Sequence, residues 1–246
     1  MCAICLLQTI VLAVKECFLC PQKAVYYIQK IIEINPDQPL AYLEHGKILL
    51  ETGQVQHADG QFLKAHELGE GNALISGNIA KAYFDNRKFK KAIAYCRKAL
   101  ESNPDYVLVR LSLASTFIKT NQLKPAIEQY YQVLQRNSDN LEALNALAWI
   151  QATSKNNNFF SPKEALRLAM QANEILEKQG VSLSKKQGAE MPDTLAEAYA
   201  SNSQFKKSIE IAEKAIKLAR EQELEALAGR IESRRKLYQS GRHFRQ

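Results

Sequence analysis

The sequence is short of the features on which most membrane and enzymatic functions are built. It has no run of about 18 consecutive apolar residues, so no segment reads as a transmembrane helix. Glycine (10) and proline (7) are sparse in 246 residues and fall between helical patterns. No stretch alternates apolar and polar residues as a half-exposed strand does. There is no Gly-rich phosphate loop of the GxGxxG or GxxxxGK[ST] kind, no HExxH pair and no GxSxG elbow. Only four histidines occur. His45 lies on the inner face of a helical pattern and reads as a packed residue, and His57 and His66 are spaced so as not to share a helix face. These absences leave no nucleotide cradle, no zinc-protease helix and no acyl-transfer nucleophile. The chain is read as non-catalytic, with no cofactor and no metal.

Cysteine is scarce beyond residue 20: of five in the chain, four form Cys2-x2-Cys5 and Cys17-x2-Cys20. Two such pairs have zinc-site spacing. If the residues between them are helical, however, the pairs stand roughly 22 Å apart at about 1.5 Å per residue, too far to share one ion. The glycine and polar residues of a zinc knuckle are also missing. The four are therefore read as small core residues, and the abundance of thiols leans toward a reducing, cytoplasmic compartment. The apolar run from Ala3 to Val14 lacks a basic flank and a small-residue cleavage site, which argues against a secretory signal. Whether Met1 begins a complete natural domain is left open.

What is present is helical periodicity, repeated. From Ala73 to Tyr106, Ile79, Ala80 and Tyr83 mark one amphipathic helix, Asp85 to Lys88 a turn, and Ala92, Cys96 and Ala99 a second helix that Pro104 stops. Displacement by 34 residues in either direction finds the same unit: Tyr42, His45, Gly46, Leu49, Ala58, Phe62 and Ala65 before it, and Leu113, Ala114, Phe117, Ala126, Tyr130 and Val133 after it. The joints Asn35-Pro36-Asp37, Asn103-Pro104-Asp105 and Asn137-Ser138-Asp139 keep the same period. This spacing resembles the tetratricopeptide repeat (TPR), in which small residues let paired helices approach and large ones fill the space between turns.

The resemblance implies an all-α, right-handed α-solenoid of about six helix pairs with a C-terminal capping helix. Residues 1–38 read as a degenerate first repeat, 39–140 as three regular repeats, and 141–178 as a repeat with five extra residues in the loop Thr153 to Phe160. Ser161-Pro162-Lys163-Glu164 then restarts a helix as a capping box. Residues 179–190 read as a polar linker, 191–221 as the last helix pair, and 222–246 as a capping helix and basic tail. Leu147-Ala148-Trp149, Asp193 to Tyr199 and Leu237 to Arg242 are similar to the endings of some bacterial TPR proteins, several of them soluble tails of membrane glycosyltransferases.

The resemblance also implies a binding surface. The family's inner-groove positions fall here on Leu40, Leu43, Lys47 and Leu50, on Leu74, Gly77, Lys81 and Phe84, on Leu108, Leu111, Ser115 and Ile118, and on Glu142, Asn145, Trp149 and Ala152. Leu40, Leu74 and Leu108 are expected to pack partly against neighbouring first helices. The expected contacts to a protein or peptide partner are Leu43, Lys47, Lys81, Phe84, Leu111, Ser115, Ile118, Asn145 and Trp149, with the lysines holding an acidic group. The chaperone-tail clamp of one TPR subclass is matched only by Asn78, so that ligand is not expected. The formal charge is +7, and residues 230–246 carry Arg230, Arg234, Arg235, Lys236, Arg242 and Arg245 against Glu232 alone. This tail reads as a solvated helix end with cations at the negative pole of its dipole. Nucleic-acid binding is not expected, since no aromatic ladder accompanies the charge. A regulatory or recruiting tail of a membrane glycosyltransferase or secretion assembly is the alternative function, and a helical-repeat nucleic-acid binder is the second alternative.

Overall fold

The computed structural model describes residues 21–179 and 185–246. The first helix of the degenerate first repeat and the four cysteines before residue 21 lie outside the described residues. Among the described residues the chain is all-α, with helices packed pairwise in succession. They are α1 (Pro21–Ile34), α2 (Pro39–Glu51), α3 (Val55–Leu68), α4 (Ala73–Asp85), α5 (Phe89–Ser102), α6 (Val107–Lys119), α7 (Leu123–Arg136), α8 (Leu141–Thr153), α9 (Pro162–Gln179), α10 (Lys185–Ser201), α11 (Phe205–Glu221) and α12 (Glu225–Gln239). The chain divides into two compact units, one reaching to Gln122 and one running from Leu123 to Gln246.

In the first unit the seam between paired helices is built from the smallest side chains. Ala58, Phe62 and Ala65 of α3 and Ala92, Cys96 and Ala99 of α5 are almost fully buried against α2 and α4. Gly46 and Ala80 hold the same place in successive repeats. A Cβ at Gly46 would stand 2.5 Å from the Phe62 ring. The bulk that Phe62 brings to the seam is thus accommodated by the side chain that Gly46 lacks. Tyr83 meets Phe62 edge to face at 5.0 Å and donates its hydroxyl to Asp59, which also accepts from Lys91.

The turns repeat as closely as the seams. Gly53, Arg87 and Asn121 all have left-handed φ values, of 80°, 58° and 58°. In each turn the following residue donates back to the closing helix: Gln54 to Leu49, Lys88 to Tyr83 and Gln122 to Phe117, all at 2.8 Å. These bonds satisfy carbonyls that the helix end would otherwise leave open.

In the second unit α8 buries Leu144, Leu147 and Ala148, and α9 buries Ala165, Leu168, Ala169 and Ala172. Ser208 of α11 sits in the seam where earlier repeats have alanine, its hydroxyl bonded to the Ala196 carbonyl at 2.7 Å. After α8 the chain leaves in extended conformation at Ser154 (φ −61°, ψ 130°) to form the inserted loop. Glu164, read as the reciprocal partner of a capping box, instead grips the Arg167 guanidinium with both oxygens, at 2.7 and 2.8 Å. The stretch read as linker is helical from Lys185, and α10 continues through Pro192. The turns before Pro192 carry Ala189, fully buried against the unit's core.

The seam gives a direct stability prediction. Gly46→Ala forces the Phe62 ring aside and lowers unfolding stability by about 1–3 kcal/mol, read from the urea midpoint, whereas Gly60→Ala, with nothing near its Cβ, does not.

Candidate functional site

The first helices of the first unit's repeats, α2, α4 and α6, pack side by side. Their amphipathic stripes are too wide for that seam alone, and the excess faces solvent. Leu40, Leu74 and Leu108, expected to pack inward, are instead 42%, 56% and 67% exposed. They occupy one position in three successive repeats and form a ladder of apolar side chains. Leu43 and Leu111, expected at the surface, are buried at 2% and 6%. The reason is the packing between first helices. Leu43, Gly77 and Leu111, at position 5 of their repeats, are drawn toward the seam, where Gly77 of α4 lets Val109 of α6 approach within 3.0 Å of its ideal Cβ site. Leu40, Leu74 and Leu108, at position 2, stay outside it.

The remaining groove residues of this unit are partly available. Phe84 is half-buried at the edge of the core and meets Phe89 at 5.7 Å. Ser115 and Ile118 are half-buried. Lys47 and Lys81 each hold a carboxylate of their own helix, Glu44 and Asp85, at 2.7 Å. Exposed pairs of this kind are worth about 0.2–1 kcal/mol, so a ligand carboxylate competes for either lysine at small cost. Asn78 is turned to its own helix, donating to the Leu74 carbonyl at 2.9 Å.

In the second unit Asn145 and Trp149 line a pocket of about 270 Å³ with Glu190, Asp193, Arg230 and Arg234. Trp149 is not open to solvent over its whole face. The Arg234 guanidinium lies 5.1 Å from its ring centroid and the Phe244 ring 6.1 Å from it. Arg234 is held there by Asp193, a side chain only 6% exposed, which takes it through both oxygens. One turn along α10 Glu197 is fully buried and accepts from the Tyr238 hydroxyl at 2.8 Å and the Phe244 amide at 3.0 Å. Arg245 donates to the Ser154 carbonyl at 2.7 Å. The tail read as solvated is thus engaged in part within its own unit: Arg234 meets a buried carboxylate and Arg245 backbone carbonyls, while Arg230, Lys236 and Arg242 are exposed.

Burial dominates the acid–base behaviour of this network. It pushes the Glu197 carboxyl up to about 8, against the opposing pulls of Tyr238, the Phe244 amide and Arg234. It raises Asp193 to about 6, with Arg234 drawing it back. His243, whose Nδ1 lies 3.5 Å from Glu197, is lowered, chiefly by burial. Sequence reasoning did not single out Asp193 or Glu197. The signal was there: they share one helical stripe with Ala189, Ala196 and Ala200, the face that must be buried.

Comparison with known proteins follows the same repeats. Models of the tetratricopeptide repeat match residues 43–107, 83–150 and 193–222. RNA polymerase II-associated protein 3 of Xenopus laevis is 26% identical over 186 residues, covering 73% of this chain and 27% of that protein. Tetratricopeptide repeat protein 13 of Homo sapiens is 25% identical over 124 residues, covering 50% of this chain and 14% of that protein. The chain thus spans about a quarter or less of those proteins. Among solved structures, YrrB, a TPR protein with an unusual peptide-binding site, superposes with a TM-score of 0.58 at 21% identity, covering 84% of this chain and 97% of that one.

The buried carboxyl makes stability depend on pH. Glu197 keeps its proton in the fold well above its ordinary value of 4.5. The unfolded chain therefore binds fewer protons, and stability falls as pH rises from there toward 8 and then levels. Asp193, Arg234, Tyr238 and His243 face this group and move its midpoint without reversing the sign. Glu197→Gln keeps an acceptor for the Phe244 amide but cannot ionise. Thermal melts at pH 5 and pH 8 are expected to show a smaller loss for this variant than for the wild type. Glu197→Ala orphans two donors and costs about 1–3 kcal/mol at both pH values.

Proposed function

Because the chain belongs to the tetratricopeptide-repeat superfamily, we propose that it is a non-catalytic scaffold that binds a protein partner through the exposed face of its first helices. The observation that carries this reading is the ladder Leu40, Leu74 and Leu108, which leaves aligned apolar side chains in water on three consecutive repeats. Contiguous exposed apolar surface of this kind marks interaction sites. An amphipathic helix or an extended segment laid across the first helices would bury it, meeting Phe84 and Ile118 beside it. Acidic side chains of the partner would pair with Lys47 and Lys81 in place of Glu44 and Asp85. The surface is set by packed helices, so little ordering entropy opposes binding.

A nucleic-acid role draws little support from the same geometry. Arg234, Arg235 and Arg245 are held by Asp193, by Glu213 and by the Ser154 carbonyl. The chemistry of the ladder is apolar, which favours a protein partner over a phosphate backbone.

The test substitutes what the ladder exposes. A Leu74→Glu, Leu108→Glu double variant is expected to keep the wild-type helical signal, because both side chains face solvent. It is expected to lose, in affinity capture with mass spectrometry, the partners that the wild type retains. Each anchor is worth about 1–2 kcal/mol of binding. Partners retained equally by a folded double variant would remove the ladder from the binding site.

A further inference from the structure

The inserted loop after α8 and the closing residues 242–246 meet in the way that a receptor meets a peptide. The closing segment is extended, not helical. It leaves α12 through Gly241, whose φ of 69° turns the chain back. It pairs with the start of the loop by two backbone hydrogen bonds, Lys155 amide to Gln246 carbonyl at 2.9 Å and Gln246 amide to Thr153 carbonyl at 2.7 Å. The two bonds flank Ser154, whose own backbone is extended, and main-chain bonds of this kind are a common means of peptide capture.

The side chains of the segment enter places that the rest of the unit supplies. Phe244 lies against Trp149, and its amide is fixed by Glu197. The Arg245 guanidinium lies 4.3 Å from the Phe160 ring centroid and donates to the Ser154 carbonyl, the Lys155 carbonyl and the Asn157 side chain. His243 stacks on Phe160 at 5.5 Å and 17°. The loop is held by bonds of its own: the Asn156 carbonyl accepts from the Phe159 and Phe160 amides, and the Asn156 side chain accepts from the Asn158 amide. The aromatic place, the cation place and the backbone edge therefore belong to the loop, α8 and α10.

We propose that this cleft is a peptide-binding site for an extended segment carrying an aromatic residue followed by arginine, that residues 242–246 occupy it in cis, and that a partner segment of the same pattern displaces them. The insertion is what creates the site. Without the extra residues there is neither an edge at Ser154 and Lys155 nor a Phe160 to receive the guanidinium. A segment tethered by a short turn acts at an effective concentration of about millimolar. A partner therefore succeeds when it brings additional contacts. The proposal does not depend on the ladder, and either can fail alone.

The experiment uses the full chain and the synthetic peptide Ser-Gly-Arg-His-Phe-Arg-Gln, which copies residues 240–246. The single tryptophan of the chain is Trp149, so its fluorescence reports occupancy directly. A Phe244→Ala, Arg245→Ala variant with unchanged helical circular dichroism is expected to bind the peptide saturably and at least tenfold more tightly than the wild type. The same peptide with alanine for phenylalanine is expected not to bind. Equal affinity for variant and wild type, or no response from a folded variant at about 1 mM peptide, overturns the proposal. Hydrogen exchange on the wild type tests it without substitution. The Phe244 and Gln246 amides are expected to exchange at least a hundredfold faster than the core amides of α10. If they exchange together with that core, or if the variant unfolds, the segment is a fixed part of the fold and the site is not one that opens.

Discussion

The close approach of two helices across a seam of very small side chains is the constraint from which the rest of this protein follows. An α-helix pair packs at its shortest distance only where glycine or alanine faces the neighbour. Gly46, Ala80, Ala114 and Ala148 meet that requirement once per repeat, and each is buried. Because the seam is satisfied by small residues, the large apolar ones are displaced to its flanks. Some, such as Phe62 and Tyr83, fill the core between turns. Others, the leucines at position 2, are left facing water. The interaction surface is in this sense a by-product of how the pairs close, and it recurs because the pairs recur.

The period was legible because it is written in residue types that have few substitutes. A small residue at the seam and a helix stop at the joint each answer a steric demand, and so they reappear at fixed spacing. Position 2 and position 5 were harder to tell apart. Both lie on the apolar stripe of the same helix, and only the packing of one first helix on the next decides which is covered. Leu43 and Leu108 have the same side chain and opposite fates. The seam contact that separates them joins residues more than thirty positions apart, such as Gly77 and Val109, and helical periodicity carries no record of it. In the same way the charges of residues 230–246 could be counted, but not the carboxylates that face them. Asp193 and Glu197 sit one turn apart within a helix of alanines, and that placement was the only trace of their burial.

The two units put their chemistry to different uses. The first carries exposed ion pairs within single helices and keeps its apolar excess outside. The second has such exposed pairs too, Arg167 with Glu164 and Lys178 with Glu174 among them, but it also buries a pair, Asp193 with Arg234. Removing either partner of the Asp193 and Arg234 pair would leave an uncompensated buried charge, an arrangement that specifies geometry more than it adds stability. The result fixes where Trp149 lies and what covers it, whereas the leucines of the first unit stay 42% to 67% exposed among the described residues.

The bonds of residues 245 and 246 to the inserted loop reach back as far as 93 positions, from Gln246 to Thr153. Elsewhere the described array is knit from neighbours, and such arrays can fold or fray one repeat at a time. A contact that spans α9 to α12 closes those helices into a loop and must await all of them. Contacts of long sequence separation slow folding because the chain entropy of closure is lost before the contact is gained. The first unit is thus built like a zipper, and the second like a ring whose clasp closes last.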